Sequence, residues 1–318
     1  MPAPLKPPAL KSGDAVRLVS LASSIREDFL QAGREELLRF GLRALSDDQA
    51  LLARESFFAG STSARLAVLQ QAITEPESRA IFCTRGGYGS NYLLQGLCTM
   101  AAPKQPKILL GCSDVTSLQI FLWQKLGWVS FYGPMVAMNF ARGAGEPQGY
   151  DRESLLCALN ETDNGWTLDL EADALSAGVA TGVLLGGCLT LVETTLGTPW
   201  ELKTEGAILV LEDRGMKPYA IDRALMHLLQ AGKFRGVAGI VLGDFPDGEA
   251  GPGEESARDV ARRILTPLNI PIVFGAPIGH TSRPMLTLPL GVRAKLSADI
   301  GALAEVPRLE ILEPACAP

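Results

Sequence analysis

Histidine is scarce in this chain: 318 residues contain only His227 and His280. Proton transfer near neutral pH usually draws on histidine, so a general base has few candidates. Cysteine offers no alternative chemistry. Cys83, Cys98, Cys112, Cys157, Cys188 and Cys316 form no C-x-x-C pair, and no Cys/His cluster has zinc spacing. They read as reduced, small core residues, and neither metal nor cofactor is expected. No run of 18 apolar residues occurs, which argues against a membrane-spanning helix or a membrane partner. The opening MPAPLKPPALKSGD lacks the apolar stretch of a secretory signal. A cytoplasmic, reducing setting is therefore the expectation. Basic charge is also short: 29 Lys and Arg against 35 Asp and Glu, net −6, with no basic run. That excludes nucleic acid as the main partner, because phosphate binding calls for a clustered basic excess.

Apolar residues are plentiful, at 47% of the chain. At this length two domains are expected, because single cores stop growing near 250–300 residues. Val16 to Leu21 reads as a strand, followed by a helical pattern through Phe29, Leu30, Leu37, Leu38 and Phe40. A second unit has a helix from about Ser61, closed by Pro76, then the strand RAIFCT, a Gly-rich loop and a helix through Leu97. A third has the strand KILL, the turn Gly111-Cys112-Ser113-Asp114 and a helix to Leu126. Such alternation implies an α/β fold with a doubly wound parallel sheet. Residues 141–165 are polar, rich in Gly and poor in apolar periodicity. The expected boundaries are residues 1–145 for the first domain, 146–175 for a crossover and 176–318 for the second. The second half contains the β-like runs Val179–Leu185, Ala207–Leu211, Gly239–Leu242 and Ile272–Phe274. Its helices are expected over Ile221–Gln230 and Ala257–Leu265, making a smaller, β-rich α/β unit.

Three positions stand where α/β folds place chemistry. His280 follows a strand and a Gly-containing turn in FGAPIGHTSRP, whereas His227 lies in an ordinary amphipathic helix. Ser113 ends a strand and opens a helix, the setting of a nucleophile elbow, with free N–H groups to hold an oxyanion. The same position suits a plain helix N-cap. Val115 stands where the G-x-S-x-G elbow of α/β-hydrolases has glycine. Glu212 and Asp213 both end the strand ILVLED, and spacing does not decide which acid would orient a histidine. The loop Arg85-Gly86-Gly87-Tyr88-Gly89-Ser90 matches neither G-x-G-x-x-G nor a P-loop. Its use would be close approach to a substrate and a second oxyanion N–H.

These residues lie in stretches that resemble the LD-carboxypeptidase family of serine peptidases, which includes microcin C immunity hydrolases. The stretches are FFAGSTSARLAVLQQAI, AIFCTRGGYGSNYLL, ILLGCSDVTSLQIFLW with FYGPM, LLGGCLTLVETTLGTPW, ILVLEDRGMKPYAIDRALMHLLQAG with GIVLGDF, and PIVFGAPIGHTSRPMLTLPLGVRAKL. They run in family order from about residue 13 to 300. The resemblance implies a flavodoxin-like first domain, a β-rich second domain and often a homodimer. It also implies a triad of Ser113, His280 and Glu212, with an oxyanion hole from the N–H groups of Asp114 and Gly87. The implied activity is release of terminal D-alanine from cell-wall tetrapeptides, with a peptide or muropeptide as partner. A microcin C-type amidase acting on aminoacyl-nucleotide analogues is the alternative, and a non-catalytic two-lobe binding protein a further one. Arg85 and Arg283 lie beside the site residues and are candidates for a substrate carboxylate.

Overall fold

The computed structural model describes residues 3–103, 105–299 and 305–318. Its strands, in chain order, are β1 (Ala15–Val19), β2 (Arg43–Leu45), β3 (Ala80–Cys83), β4 (Ile108–Gly111) and β5 (Ser130–Tyr132). Then come β6 (Trp166–Asp169), β7 (Asp173–Ser176), β8 (Gly178–Cys188), β9 (Ala207–Glu212) and β10 (Gly239–Gly243). The last are β11 (Ile272–Ala276), β12 (Leu288–Leu290), β13 (Arg293–Ala298) and β14 (Arg308–Ile311). They form two sheets.

The first sheet has the order β12-β5-β4-β3-β1-β2, and β1 to β5 run parallel. That is the flavodoxin-like order 2-1-3-4-5. Strands β3 and β4 are buried along their whole length, as parallel strands covered on both faces must be. Covering helices include Glu27–Arg39, Thr62–Thr74 and Thr116–Leu126. Ser61 Oγ caps the second by accepting from the Ala64 N–H at 3.2 Å. Gly127, left-handed at φ 66°, ends the third. β12 comes from late in the chain yet joins this sheet antiparallel to β5.

The second sheet has the order β6-β14-β13-β8-β9-β10-β11-β7. β8 to β11 are parallel, with antiparallel strands on both flanks. β9 divides its side chains between two cores. Ile208 and Val210 join the core shared with the first sheet. Ala207, Leu209 and Leu211 face helices Pro218–Gln230 and Ala257–Leu265. Expected in the smaller unit, this sheet has, among the described residues, eight strands against six in the first. Helix Arg152–Asn160, β6 and most of β7 lie within the stretch read as a polar crossover.

In this strand order, the chain changes direction across the sheet between β1 and β3. A crevice opens there, beyond the carboxyl ends of the strands. The loops after β1, β3 and β4 meet in it. The carboxyl ends of β8, β9 and β11 bring the second sheet to the same place.

Candidate active site

Ser113 follows β4 and has φ 60°, a left-handed conformation rare outside glycine. It starts a short 3₁₀ turn, Ser113–Val115, that runs into helix Thr116–Leu126. No side-chain cap is formed there by Cys112, and Ser113 lines a cleft of about 780 Å³. The strained backbone is the cost of aiming a side chain out of a strand-to-helix turn.

The Gly-rich loop is fastened to this turn by Asp114, which is fully buried. Its carboxylate accepts the N–H groups of Gly89 at 3.2 Å and Ser90 at 2.7 Å, and its carbonyl accepts Ser90 Oγ at 2.6 Å. Ser23 holds the other side: its N–H donates to the Gly86 carbonyl at 3.2 Å, and its Oγ accepts from the Tyr88 N–H at 3.2 Å. Gly86 rests directly against the serine. A methyl group at its Cα would lie 2.8 Å from Ser113 Cβ and 3.0 Å from Oγ. Among the described residues, the N–H groups of Asp114 and Gly87 have no protein acceptor. Unpaired donors of this kind are what a developing oxyanion needs.

Glu212, the last residue of β9, is fully buried. Its Oε2 accepts the backbone N–H of His280 at 2.8 Å and lies 2.8 Å from His280 Nδ1. Its Oε1 accepts the Tyr132 hydroxyl, whose oxygen accepts the Ser113 N–H at 3.1 Å. The carboxylate can only accept, so the imidazole proton belongs on Nδ1 and the Nε2 lone pair is left for a substrate proton. Burial pulls the His280 pKa down, but the charge and hydrogen bond of Glu212 outweigh it, and the net direction is upward. Burial, then the Glu212 charge, pushes the Tyr132 hydroxyl far above its ordinary range. It stays a neutral donor. Gly279, at φ 58°, leaves room for the Glu212 carboxyl, because a side chain there would overlap it.

Asp213 has a different task. Its Oδ2 accepts the Thr190 N–H at 2.8 Å and the Thr190 hydroxyl at 2.7 Å, and its Oδ1 accepts the Arg214 N–H at 2.8 Å. It caps the helix that follows β8, so of the two neighbouring acids only Glu212 pairs with His280.

Two family models match the chain: LD-carboxypeptidase N-terminal domain over residues 16–133 and LD-carboxypeptidase C-terminal domain over residues 181–296. The chain is 33% identical over 295 residues to the "Probable murein peptide carboxypeptidase" of Bacillus subtilis, covering 92% of this chain and 91% of that one. The chain belongs to the LD-carboxypeptidase family. Among solved structures it is similar to an MccF-like protein of Bacillus anthracis, at 26% identity and TM-score 0.82, covering 96% of this chain and 99% of that one. It is also similar to a muramoyltetrapeptide carboxypeptidase of Oxalobacter formigenes, at 25% identity and TM-score 0.78, covering 94% and 99%.

In this LD-carboxypeptidase homologue, Ser113, Gly87, His280 and Arg85 line one cleft, with Glu212 and Asp114 directly behind it. Arg85 is exposed there and donates to the Ser24 carbonyl at 2.9 Å. Arg283, expected beside it, is not among the cleft residues. Its guanidinium is tied to Asp244 at 2.6 Å, to the Glu171 carbonyl at 3.0 Å and to the Gly275 carbonyl. Three of its five N–H donors are spent on that buttress. His227 lies on helix Pro218–Gln230, paired with Glu193 at 2.8 Å. Sequence reasoning passed over Tyr132, although FYGPM was among the recognised stretches. It also passed over Arg26, Arg142 and Arg214, which line the cleft. Among the described residues there is no cluster of His, Cys, Asp and Glu fit to hold a metal, and no helix long and apolar enough to cross a membrane.

Proposed function

We propose that this protein is a serine LD-carboxypeptidase that releases terminal D-alanine from cell-wall tetrapeptides. Ser113 is the nucleophile, His280 the base and Glu212 the orienting acid. His280 Nε2 takes the Ser113 hydroxyl proton as Oγ attacks the carbonyl carbon of the L–D amide. The N–H groups of Asp114 and Gly87 receive the oxyanion. The C–N bond breaks, His280 gives its proton to the departing amine, and D-alanine leaves. Water, deprotonated by His280, then cleaves the acyl-enzyme and restores Ser113. Arg85, whose chain neighbour Gly86 touches Ser113, is suited to the carboxylate of the released residue.

The observation that carries this reading is the buried Glu212–His280 pair beside a serine with left-handed backbone. Family membership adds the peptidase class, and the cleft volume suits several peptide residues. A second reading, an amidase acting on aminoacyl-nucleotide analogues, is favoured by the likeness to the MccF-like protein. It uses the same triad, so substrates must decide. D-alanine release from a tetrapeptide and hydrolysis of an aminoacyl sulfamoyl adenosine are measured on one preparation. The peptide is expected to lead in kcat/KM by about tenfold or more. A lead for the nucleotide analogue would transfer the assignment to the second reading.

A further inference from the structure

The cleft has the opposite charge to the chain. The chain carries net −6, yet Arg26, Arg85, Arg142 and Arg214 line the cleft with one acid, Asp213. Both oxygens of Asp213 are already taken by Thr190 and the Arg214 backbone. Cations held in a cleft with so little counter-charge raise the local concentration of anions. Among the described residues Arg142 and Arg214, like Arg85, form no ion pair. The Arg142 guanidinium lies 5.4 Å from the centroid of the Phe29 ring. Arg26 lies 5.0 Å from the same centroid. Arg26 pairs with Asp28, but both side chains are well exposed, and such pairs hold weakly.

Arg142 is presented by a fastened segment. Asn139 accepts the Met135 N–H at 3.2 Å and donates to the Gln148 carbonyl at 3.0 Å. Gln148 in turn donates its N–H to the Ser282 carbonyl at 2.9 Å, two residues past His280. The backbone that carries Arg142 is therefore held in place, which limits the entropy lost on binding. Arg26 and Phe29 come from the start of helix Glu27–Arg39. They and Arg142 belong to other segments than the Gly-rich loop, in which Arg85 is one residue from the glycine that meets Ser113. With Arg85 assigned to the carboxylate of the released residue, Phe29 and its two arginines are left for a second one.

We infer that Arg142, with Arg26 across the Phe29 ring, binds a second substrate carboxylate on the acyl side of the scissile bond. The enzyme then selects peptides with a free side-chain carboxylate there over the corresponding carboxamides. The inference rests on the serine carboxypeptidase reading. Guanidinium suits the task because it grips a carboxylate with two parallel N–H donors.

The test uses two tetrapeptides that differ only in that group, free acid or carboxamide. D-alanine release is measured with the wild type and Arg142→Gln. Calorimetric binding of both peptides is measured with Ser113→Ala and with Ser113→Ala/Arg142→Gln. The wild type is expected to favour the acid by about 10–100-fold in kcat/KM, mostly through KM, and Ser113→Ala to bind it tighter by a similar factor. Arg142→Gln should bring the acid down towards the amide in both assays. Equal use and equal binding of the two peptides by the Arg142-containing proteins would overturn the inference while leaving the carboxypeptidase reading intact. So would a full acid preference retained by Arg142→Gln. If neither peptide is cleaved, the carboxypeptidase reading fails, and the binding arm still decides whether Arg142 reads the carboxylate.

Discussion

Glu212 has no exposed surface, yet three donors surround its carboxylate: the Tyr132 hydroxyl, the His280 amide and the His280 ring. A buried charge is tolerable only with such company. The consequence appears in the pH profile. As the proposed base, His280 must be neutral, and its pKa is raised, because Glu212 outweighs the opposing effect of burial. The acid limb of kcat/KM is therefore expected above the ordinary histidine value of about 6.5. Glu212→Gln removes the opposing charge and leaves burial, so the limb should move below that value as the rate falls. Asp213→Asn, which disturbs the cap at Thr190 and removes a weaker charge that also raises His280, should lower the limb much less than Glu212→Gln does. The two variants exchanging these behaviours would reassign the acid. The same shift has a sign for stability. A raised folded pKa contributes stability that is complete below about pH 6.5 and fades as pH rises through the folded value. The position of Glu212 at a strand end was readable in the sequence, but its preference over Asp213 was not. The choice depends on which way each side chain turns as β9 ends, and on Gly279, which makes room for Glu212 alone.

At the scale of elements, the loop after β3 and the turn after β4 act as one piece. Asp114 ties their backbones together, and Gly86 lets them touch. Gly86→Ala is a sharp test, because glycine's freedom of φ is not needed there and only the space is. The added methyl would press on Ser113 Cβ and Oγ, and the turn or the loop must move. D-alanine release is expected to fall by roughly 10²-fold, as for a displacement of about 1 Å at a reacting group, with little change in melting temperature. Unimpaired release would show that the close approach of Gly86 is unimportant. The central strands and their helices were legible because they are buried on both faces and read as apolar runs with turn residues between them. β6 and β7 were not. They are short edge strands with half-exposed side chains, and their partners β14 and β11 lie about 100 or more residues away, beyond the reach of any local pattern. β12 was hidden for the same reason: three residues from late in the chain complete the first sheet.

Across the whole molecule, the first sheet supplies Ser113 and the proposed oxyanion donors, and the second supplies Glu212 and His280. Tyr132 bridges them, since its hydroxyl meets both the Ser113 N–H and Glu212. Thr116 adds a second link by accepting the Cys188 N–H at 3.1 Å, and Gly187 allows that contact, because a side chain there would meet Thr116 and Tyr132. One apolar core continues through both sheets. The proposed catalytic arrangement is therefore a property of how the sheets dock, which explains the limits of reading the chain alone. Ser113, taken singly, suits a helix cap as well as a nucleophile. Its left-handed backbone, the absence of a capping bond and the buried acid behind His280 appear only in three dimensions. Arg283 shows the converse. Its place in the sequence beside His280 suggested a substrate contact, but its side chain turns to Asp244 and Glu171.

The most direct test of the central claim is D-alanine release from a muropeptide by wild type and Ser113→Ala, with equal folding verified by circular dichroism. The account predicts steady release by the wild type and a loss of about 10³-fold or more in the variant, leaving only what binding and the oxyanion donors provide. Release by Ser113→Ala at the wild-type rate would contradict it.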